Sequence, residues 1–158
     1  MTAIIRPARP GDEADILRLI RALADYEREP DAVEATAEGL GDHLFAPDPR
    51  VFAHVAELDG RVVGTAVWFL TFSTWTGRHG IYLEDLYVDP AARGRGLARH
   101  LVRALAAEAE ARGCARIDWA VLDWNEPAKG FYQSLGARHN RTWEPWRLDR
   151  EALAALQP

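Results

Sequence analysis

Apolar residues recur along this chain with two periods, and the switches between them mark out the elements. Ile4-Ile5-Arg6 is a short apolar strand, cut off by Pro7 and Pro10. From Asp15 onward, Ile16, Leu17, Leu19, Ile20, Leu23 and Ala24 fall three and four apart, the spacing of one helix face. That helix starts near Asp12, a residue type suited to capping, and runs to about Glu27 before Pro30 stops it. A weaker helix covers 35–45, and Ala46-Pro47-Asp48-Pro49 is a turn. The pattern then changes to strands. Val51 to Glu57 is one, Asp59-Gly60 is a tight hairpin signal, and Val62 to Phe72 is the return strand. A loop over 73–78 leads into a strand from Ile81 to Val88. After a glycine-arginine turn, a long amphipathic helix reaches Ala111, and Gly113 is placed to end it. Arg116 to Val121 reads as the next strand. Asn125-Glu126-Pro127 opens a further helix that ends at Gly136. A late strand over 143–148 and a short helix over 150–156 complete the chain.

This alternation is that of an α/β chain with a mixed sheet flanked by helices. Its 158 residues suit a single domain, 1–158, with a sizeable core, and 48% of them are apolar. The lone Cys114 excludes an internal disulfide and suits a reducing compartment. No apolar run approaches the ~20 residues of a membrane helix, so no membrane association is expected. The first fifteen residues carry acids where a secretory signal would be apolar. The expected location is cytoplasmic. With 24 acidic and 19 basic residues the net charge is −5, which disfavours a nucleic-acid partner and is permissive for a cationic substrate. The five histidines show no metal-ligand spacing, and no metal is expected.

Two stretches carry chemistry. In the first, strand 81–88 passes through Asp89-Pro90 into Arg93-Gly94-Arg95-Gly96-Leu97-Ala98, where a helix begins. Gly94 and Gly96 permit unusual dihedrals, so successive amides from Arg95 to Ala98 can ring an anion at a helix N-terminus. The same strand holds the adjacent carboxylates Glu84 and Asp85 within an apolar run. A regular strand would aim them at opposite faces, and sharing one pocket requires a bulge. The second stretch is Asn125-Glu126-Pro127-Ala128-Lys129-Gly130-Phe131-Tyr132-Gln133-Ser134-Leu135-Gly136, where Asn125 is placed to cap a helix.

Together the two stretches resemble a known superfamily. Arg93-x-x-Gly96-x-Ala98 is similar to the acetyl-CoA signature of the GCN5-related N-acetyltransferases, and Asn125…Phe131-Tyr132…Gly136 is similar to their second motif. Within that superfamily the chain looks closest to the diamine (spermidine/spermine) and thialysine N-acetyltransferases. That likeness rests on residues 15–20, Tyr26-Glu27, residues 73–78, residues 82–88, residues 120–125 and Trp146-Arg147. The resemblance implies the superfamily's fold, a single mixed, mostly antiparallel sheet splayed between its central strands and flanked by helices. It implies acetyl-CoA as co-substrate, a small-molecule amine as acceptor and a homodimer. It puts the pyrophosphate on the amides of residues 95–98 with Arg93 nearby, and lays the pantetheine arm along Leu86-Tyr87-Val88 like an added strand. Asn125 is implied to hydrogen-bond the cofactor and Tyr132 to reach the sulfur.

An alkylammonium has a pKa near ~10.4 and must lose a proton before it attacks the thioester. We expect Glu84 to take that proton and Asp85 to partner the cation, with Tyr132 protonating the departing thiolate. Glu27, Trp75, Asp85 and Trp146 match positions the family uses to hold the substrate chain. The spermidine/spermine enzymes carry an acid two residues before the loop tryptophan, where this chain has Ser73. The loop therefore looks more like the thialysine branch, and Arg78 is a charge match for an α-carboxylate. Two other readings compete: a non-catalytic acyl-CoA-binding module, and an enzyme that acetylates a protein amine.

Overall fold

Why these residues form these elements is clearest around the sheet. A computed structural model describes residues 2–158, with one compact unit ending at Leu122 and a second, Asp123–Pro158. The first unit holds the strands β1 (Ala3–Pro7), β2 (Phe52–Leu58), β3 (Arg61–Ser73), β4 (Arg78–Val88) and β5 (Ile117–Asp118). They lie in the order β1-β2-β3-β4-β5, antiparallel throughout except for the parallel β4–β5 pair. Helices α1 (Glu13–Tyr26), α2 (Ala37–Leu44) and α3 (Leu97–Ala111) complete the unit, with a single 3-10 turn at Pro90–Ala92.

Each face of the sheet has its own core. Leu97, Leu101, Leu105 and Ala109 recur every four residues along α3 and bury against Ala56, Ala66, Trp68, Ile81 and Leu83. On the other face, Ile16 and Leu19 of α1 and Leu44 of α2 meet Ala53, Val55, Val62 and Val67. Leu101 and Leu105 are fully buried, and truncating either to alanine costs about 2–5 kcal/mol. The β2–β3 hairpin turns on Asp59 and Gly60, at φ 51° and 79°. Two successive positive φ values match the right-handed strand twist, which is why the Asp-Gly pair specifies this turn.

Three local expectations change. Asp12 stands at the N-cap of α1 without a side-chain cap bond. Its carboxylate instead accepts both Arg6 guanidinium nitrogens, at 2.7 and 3.0 Å, and the Arg9 amide at 2.8 Å. These bonds take the place of a cap bond to α1 and hold the Asp12 carboxyl below its usual range despite burial. The strand expected over 116–121 shortens to Ile117–Asp118, which pair with Ile81 and Tyr82. The late strand over 143–148 does not form. Those residues are exposed and have no strand partner among the described residues, and a strand without a ladder leaves its backbone to water.

The second unit holds α4 (Glu126–Ser134) and α5 (Arg150–Ala155). Asn125 caps α4 as expected, its Oδ1 accepting the Ala128 amide at 3.2 Å, with Pro127 in the first turn. Asp149 caps α5 in the same way through the Ala152 amide, at 2.9 Å. No helix among the described residues is long and apolar enough to cross a membrane.

Candidate active site

The site begins with an irregularity in β4. Ile81, Leu83, Leu86 and Val88 all pack in the α3-facing core. A regular strand returns to one face every second residue, so the step of three from Leu83 to Leu86 needs one additional residue. Pairing with β3 shows which one. Leu83 lies opposite Trp68 and Asp85 opposite Val67, leaving Glu84 without a partner between them. This β-bulge bends the strand and re-aims its side chains.

The bulge corrects the opposite-face geometry of a regular strand. Tyr82 stacks on Phe69 at 5.1 Å, and Tyr87 packs with the core beneath α1 and α2. Glu84 lies two residues after Tyr82 and Asp85 two before Tyr87, so both acids fall on that same face. The charges that act on Asp85 agree with this placement. Asp85 is pushed up to about 6, first by burial and then by the charges of Glu84 and Glu27. Glu27, just past the end of α1, is also raised by burial. Burial raises the Tyr82 phenol as well, with Glu84 and then Asp118 adding to it. Glu84 itself is exposed. Three carboxylates from two elements thus act on one locus, with the most deeply buried one poised near neutrality. Such an arrangement has the charge to attract a cation and a carboxylate able to take a proton.

Beside this locus runs an open edge. β5 pairs with β4 only at Ile81 and Tyr82. From Leu83 to Val88 the outer edge of β4 has no strand neighbour among the described residues. An open edge is a template for an extended ligand. Arg93 closes the far end of it. Its Nε donates to the Val88 carbonyl at 3.0 Å, and its guanidinium lies 5.4 Å from the Tyr87 ring centre. The Arg93 side chain therefore folds back on the strand.

Past Arg93, Gly94 and Gly96 adopt φ 76° and 73°. Nothing would meet a Cβ at Gly94 within 4 Å, so the demand for glycine here is conformational rather than spatial. Gly96 is the N-cap of α3 and offers no side chain. The amides of Leu97 and Ala98 lack acceptors within the helix by its geometry and face its positive end. Arg95 is exposed in the same turn. The turn thus has the donors, dipole and charge to hold a phosphate.

Two other expected residues of the first unit lie apart from this locus. Trp75 and Arg78 sit at the tip of the β3–β4 hairpin, where the Gly77 amide donates to the Ser73 carbonyl at 2.8 Å. Trp75 is 87% exposed. At ~3.3 Å per residue, Arg78 is roughly 20 Å along the strand from Asp85. In the second unit, Tyr132 is half-buried on α4 with its ring 5.2 Å from Phe131, and Trp146 is 91% exposed.

Residues 16–137 match the acetyltransferase (GNAT) family. The chain belongs to the GNAT acetyltransferase family. It is 38% identical over 166 residues to a thialysine N-epsilon-acetyltransferase from Sus scrofa, covering 98% of this chain and 97% of that one. It is 35% identical over 153 residues to a spermidine/spermine N(1)-acetyltransferase-like protein 1 from Homo sapiens, covering 92% of this chain and 22% of that protein. The solved structure of an integron cassette protein from the mobile metagenome of V. cholerae superposes with a TM-score of 0.81, at 28% identity and 99% and 98% coverage. This GNAT chain is accordingly an enzyme, an N-acetyltransferase, with the mixed and splayed sheet that its motifs implied.

The bulge that a shared pocket for Glu84 and Asp85 requires is present in this acetyltransferase. Its signal is in the sequence: the apolar step of three inside Ile81-Tyr82-Leu83-Glu84-Asp85-Leu86-Tyr87-Val88 fits no regular strand. Tyr82, beside Glu84 and Asp118, was unassigned.

Proposed function

We propose that this enzyme transfers the acetyl group of acetyl-CoA to the primary amine of a small molecule, an ω-amino acid of the thialysine or lysine kind or a diamine, by direct attack. The observation that carries this reading is the bulge at Glu84, which turns two carboxylates to one face beside an open strand edge. The diphosphate rests on the amides of residues 95–98. The pantetheine arm lies along the edge at Leu86-Tyr87-Val88, which sets the thioester level with the bulge. Arg93 holds the end of that edge in line.

The substrate arrives as an ammonium, drawn by Glu27, Glu84 and Asp85. We assign the proton acceptor to Asp85 rather than Glu84. A carboxylate near 6 is ionised at neutral pH yet basic enough to draw a proton. Glu84 then serves as the exposed charge that steers the cation and keeps Asp85 basic. The neutral amine attacks the thioester carbonyl, and a backbone N–H of the β4 edge stabilises the oxyanion. Tyr132 gives its proton to the departing thiolate, and Asn125 holds α4 in register for it. No covalent intermediate on the protein is required. Trp75 and Arg78, roughly 20 Å along the strand from Asp85, lie beyond the reach of an amino acid of this length whose amine is at Asp85. The similarity to the thialysine enzyme from Sus scrofa supports an amino-acid acceptor.

The test is release of free thiol from acetyl-CoA with thialysine, lysine, ornithine, putrescine and spermidine compared side by side. Amino acids are expected to exceed the polyamines in kcat/KM. Silence across the panel, with CoA binding retained, would show a binding module instead. Tyr132→Phe is expected to lower turnover with little change in acetyl-CoA affinity, and unchanged turnover removes Tyr132 from the mechanism.

A further inference from the structure

A second polar cluster lies on the opposite face of the sheet, directly behind the bulge. His54 of β2 is 5% exposed and Trp68 of β3 is 1% exposed. The Trp68 Nε1–H donates to His54 Nδ1 at 3.1 Å. An indole nitrogen can only donate, so His54 Nδ1 carries no proton and the neutral ring bears its hydrogen on Nε2. That nitrogen lies 3.7 Å from Glu108 Oε1 of α3. Glu108 also accepts from Arg112 Nε at 3.0 Å. The Arg112 guanidinium covers the rings of Phe52 and Trp68, 4.9 and 5.2 Å from their centres, and Phe52 stacks on Trp68 at 4.5 Å. The charged groups facing His54 are thus Glu108 and Arg112, both from α3, and its burial keeps it neutral.

None of these groups takes part in the chemistry described above, yet Trp68 occupies a telling position. It is the residue of β3 at which the register shifts: its partner is Leu83, and Glu84 is the extra residue that follows. A shift by one residue on either strand would move the acids. We infer that His54, acting through its bond to Trp68, is a positioning residue that fixes the site of the bulge and so the presentation of Glu84 and Asp85. A Trp68 held by stacking alone is free to tilt in its plane. The hydrogen bond fixes that tilt, and with it the strand crossing at Leu83. Protonation of His54 would oppose two N–H groups and release the indole.

The inference rests on the reading of Asp85 as proton acceptor only for its effect on rate, and the experiment keeps the two apart. The ionisation of Asp85 is followed by carboxyl carbon NMR in the free enzyme, and kcat/KM by its pH profile. Three variants are compared. His54→Leu removes the acceptor, His54→Asn keeps an acceptor oxygen near the Nδ1 position, and Leu105→Ala loosens the same core while keeping both partners of the hydrogen bond. His54→Leu is expected to move the Asp85 midpoint down by about one unit and to lower kcat/KM on the order of tenfold. His54→Asn should restore both, and Leu105→Ala should lower Tm while leaving the midpoint in place. Should His54→Leu not fold, Trp68→Phe keeps the stack, loses the donor and is expected to move the midpoint in the same direction. An Asp85 midpoint unchanged in His54→Leu or Trp68→Phe overturns the inference, as does a midpoint that moves equally in Leu105→Ala. A midpoint that moves without any change in the rate profile would uphold the positioning role and instead refute Asp85 as the acceptor.

Discussion

The two halves of β4 belong to one strand and live in different surroundings. From Ile81 to Leu83 the backbone is flanked by β3 on one side and, through Tyr82, by β5 on the other. From Asp85 to Val88 it keeps β3 and, among the described residues, has no strand on its outer edge. The first half is a floor, and the second is a floor with a doorway. One unpaired residue, Glu84, separates them, and it also turns Asp85 toward Glu27. Reactivity here comes less from the kinds of side chain present than from where the ladder is interrupted.

The sharpest way to break that contrast is to neutralise the acid it serves. Asp85→Asn is expected to lower kcat/KM by about 10²–10⁴, read from thiol release at saturating acetyl-CoA. The same change should stabilise the fold at pH 8. A carboxyl whose folded pKa lies near 6 rather than 3.8 binds protons better folded than unfolded, so ionisation costs stability as pH rises through that window. Thermal unfolding at pH 8 should show a gain of about 3 kcal/mol for the neutral variant, shrinking toward zero at pH 4.

Deleting Glu84 attacks the boundary itself. The remaining Ile81-Tyr82-Leu83-Asp85-Leu86-Tyr87-Val88 alternates perfectly, so the strand should pair without a bulge and the protein should still fold. Activity should fall on the order of 100-fold, because the carboxylate and the edge lose their mutual setting. Unchanged kcat/KM in a folded deletion variant would mean the bulge is incidental.

Glu84→Gln sharpens the comparison more gently. Removing its charge takes away one cause of the raised Asp85 pKa, so the acidic limb of the kcat/KM profile should move to lower pH. The loss at pH 8 should be no more than about tenfold. A limb that moves upward would contradict the shared face. At the end of the open half, Gly96→Ala forces a side chain to φ 73°. It should cost about 1–2 kcal/mol in stability and raise the KM for acetyl-CoA without altering the pH profile.

Much of this was legible in the chain. Asp59-Gly60 predicted a tight hairpin because few other pairs accept two positive φ values. The four-residue recurrence of Leu97, Leu101 and Leu105 predicted α3 and its buried stripe. The motifs at 93–98 and 125–136 pointed to the family. Other features depend on partners that a local pattern does not carry. Residues 116–121 and 143–148 have strand-like composition, but their fate depends on whether a neighbouring edge exists to pair with. Asp12 reads as a cap until Arg6, six residues earlier, claims it. The shared face of Glu84 and Asp85 lay between these extremes, written in the apolar spacing but masked by reading the strand as regular.

Arg18 shows how far such control extends. From α1 it grips both Asp89 oxygens at 3.0 Å and the Val62 carbonyl at 2.9 Å, fixing where β4 stops and the approach to the glycine turn begins. Anyone grafting that turn onto another scaffold would have to bring along an arginine 71 residues away from the aspartate it anchors; the loop alone would be a hinge without its bolt.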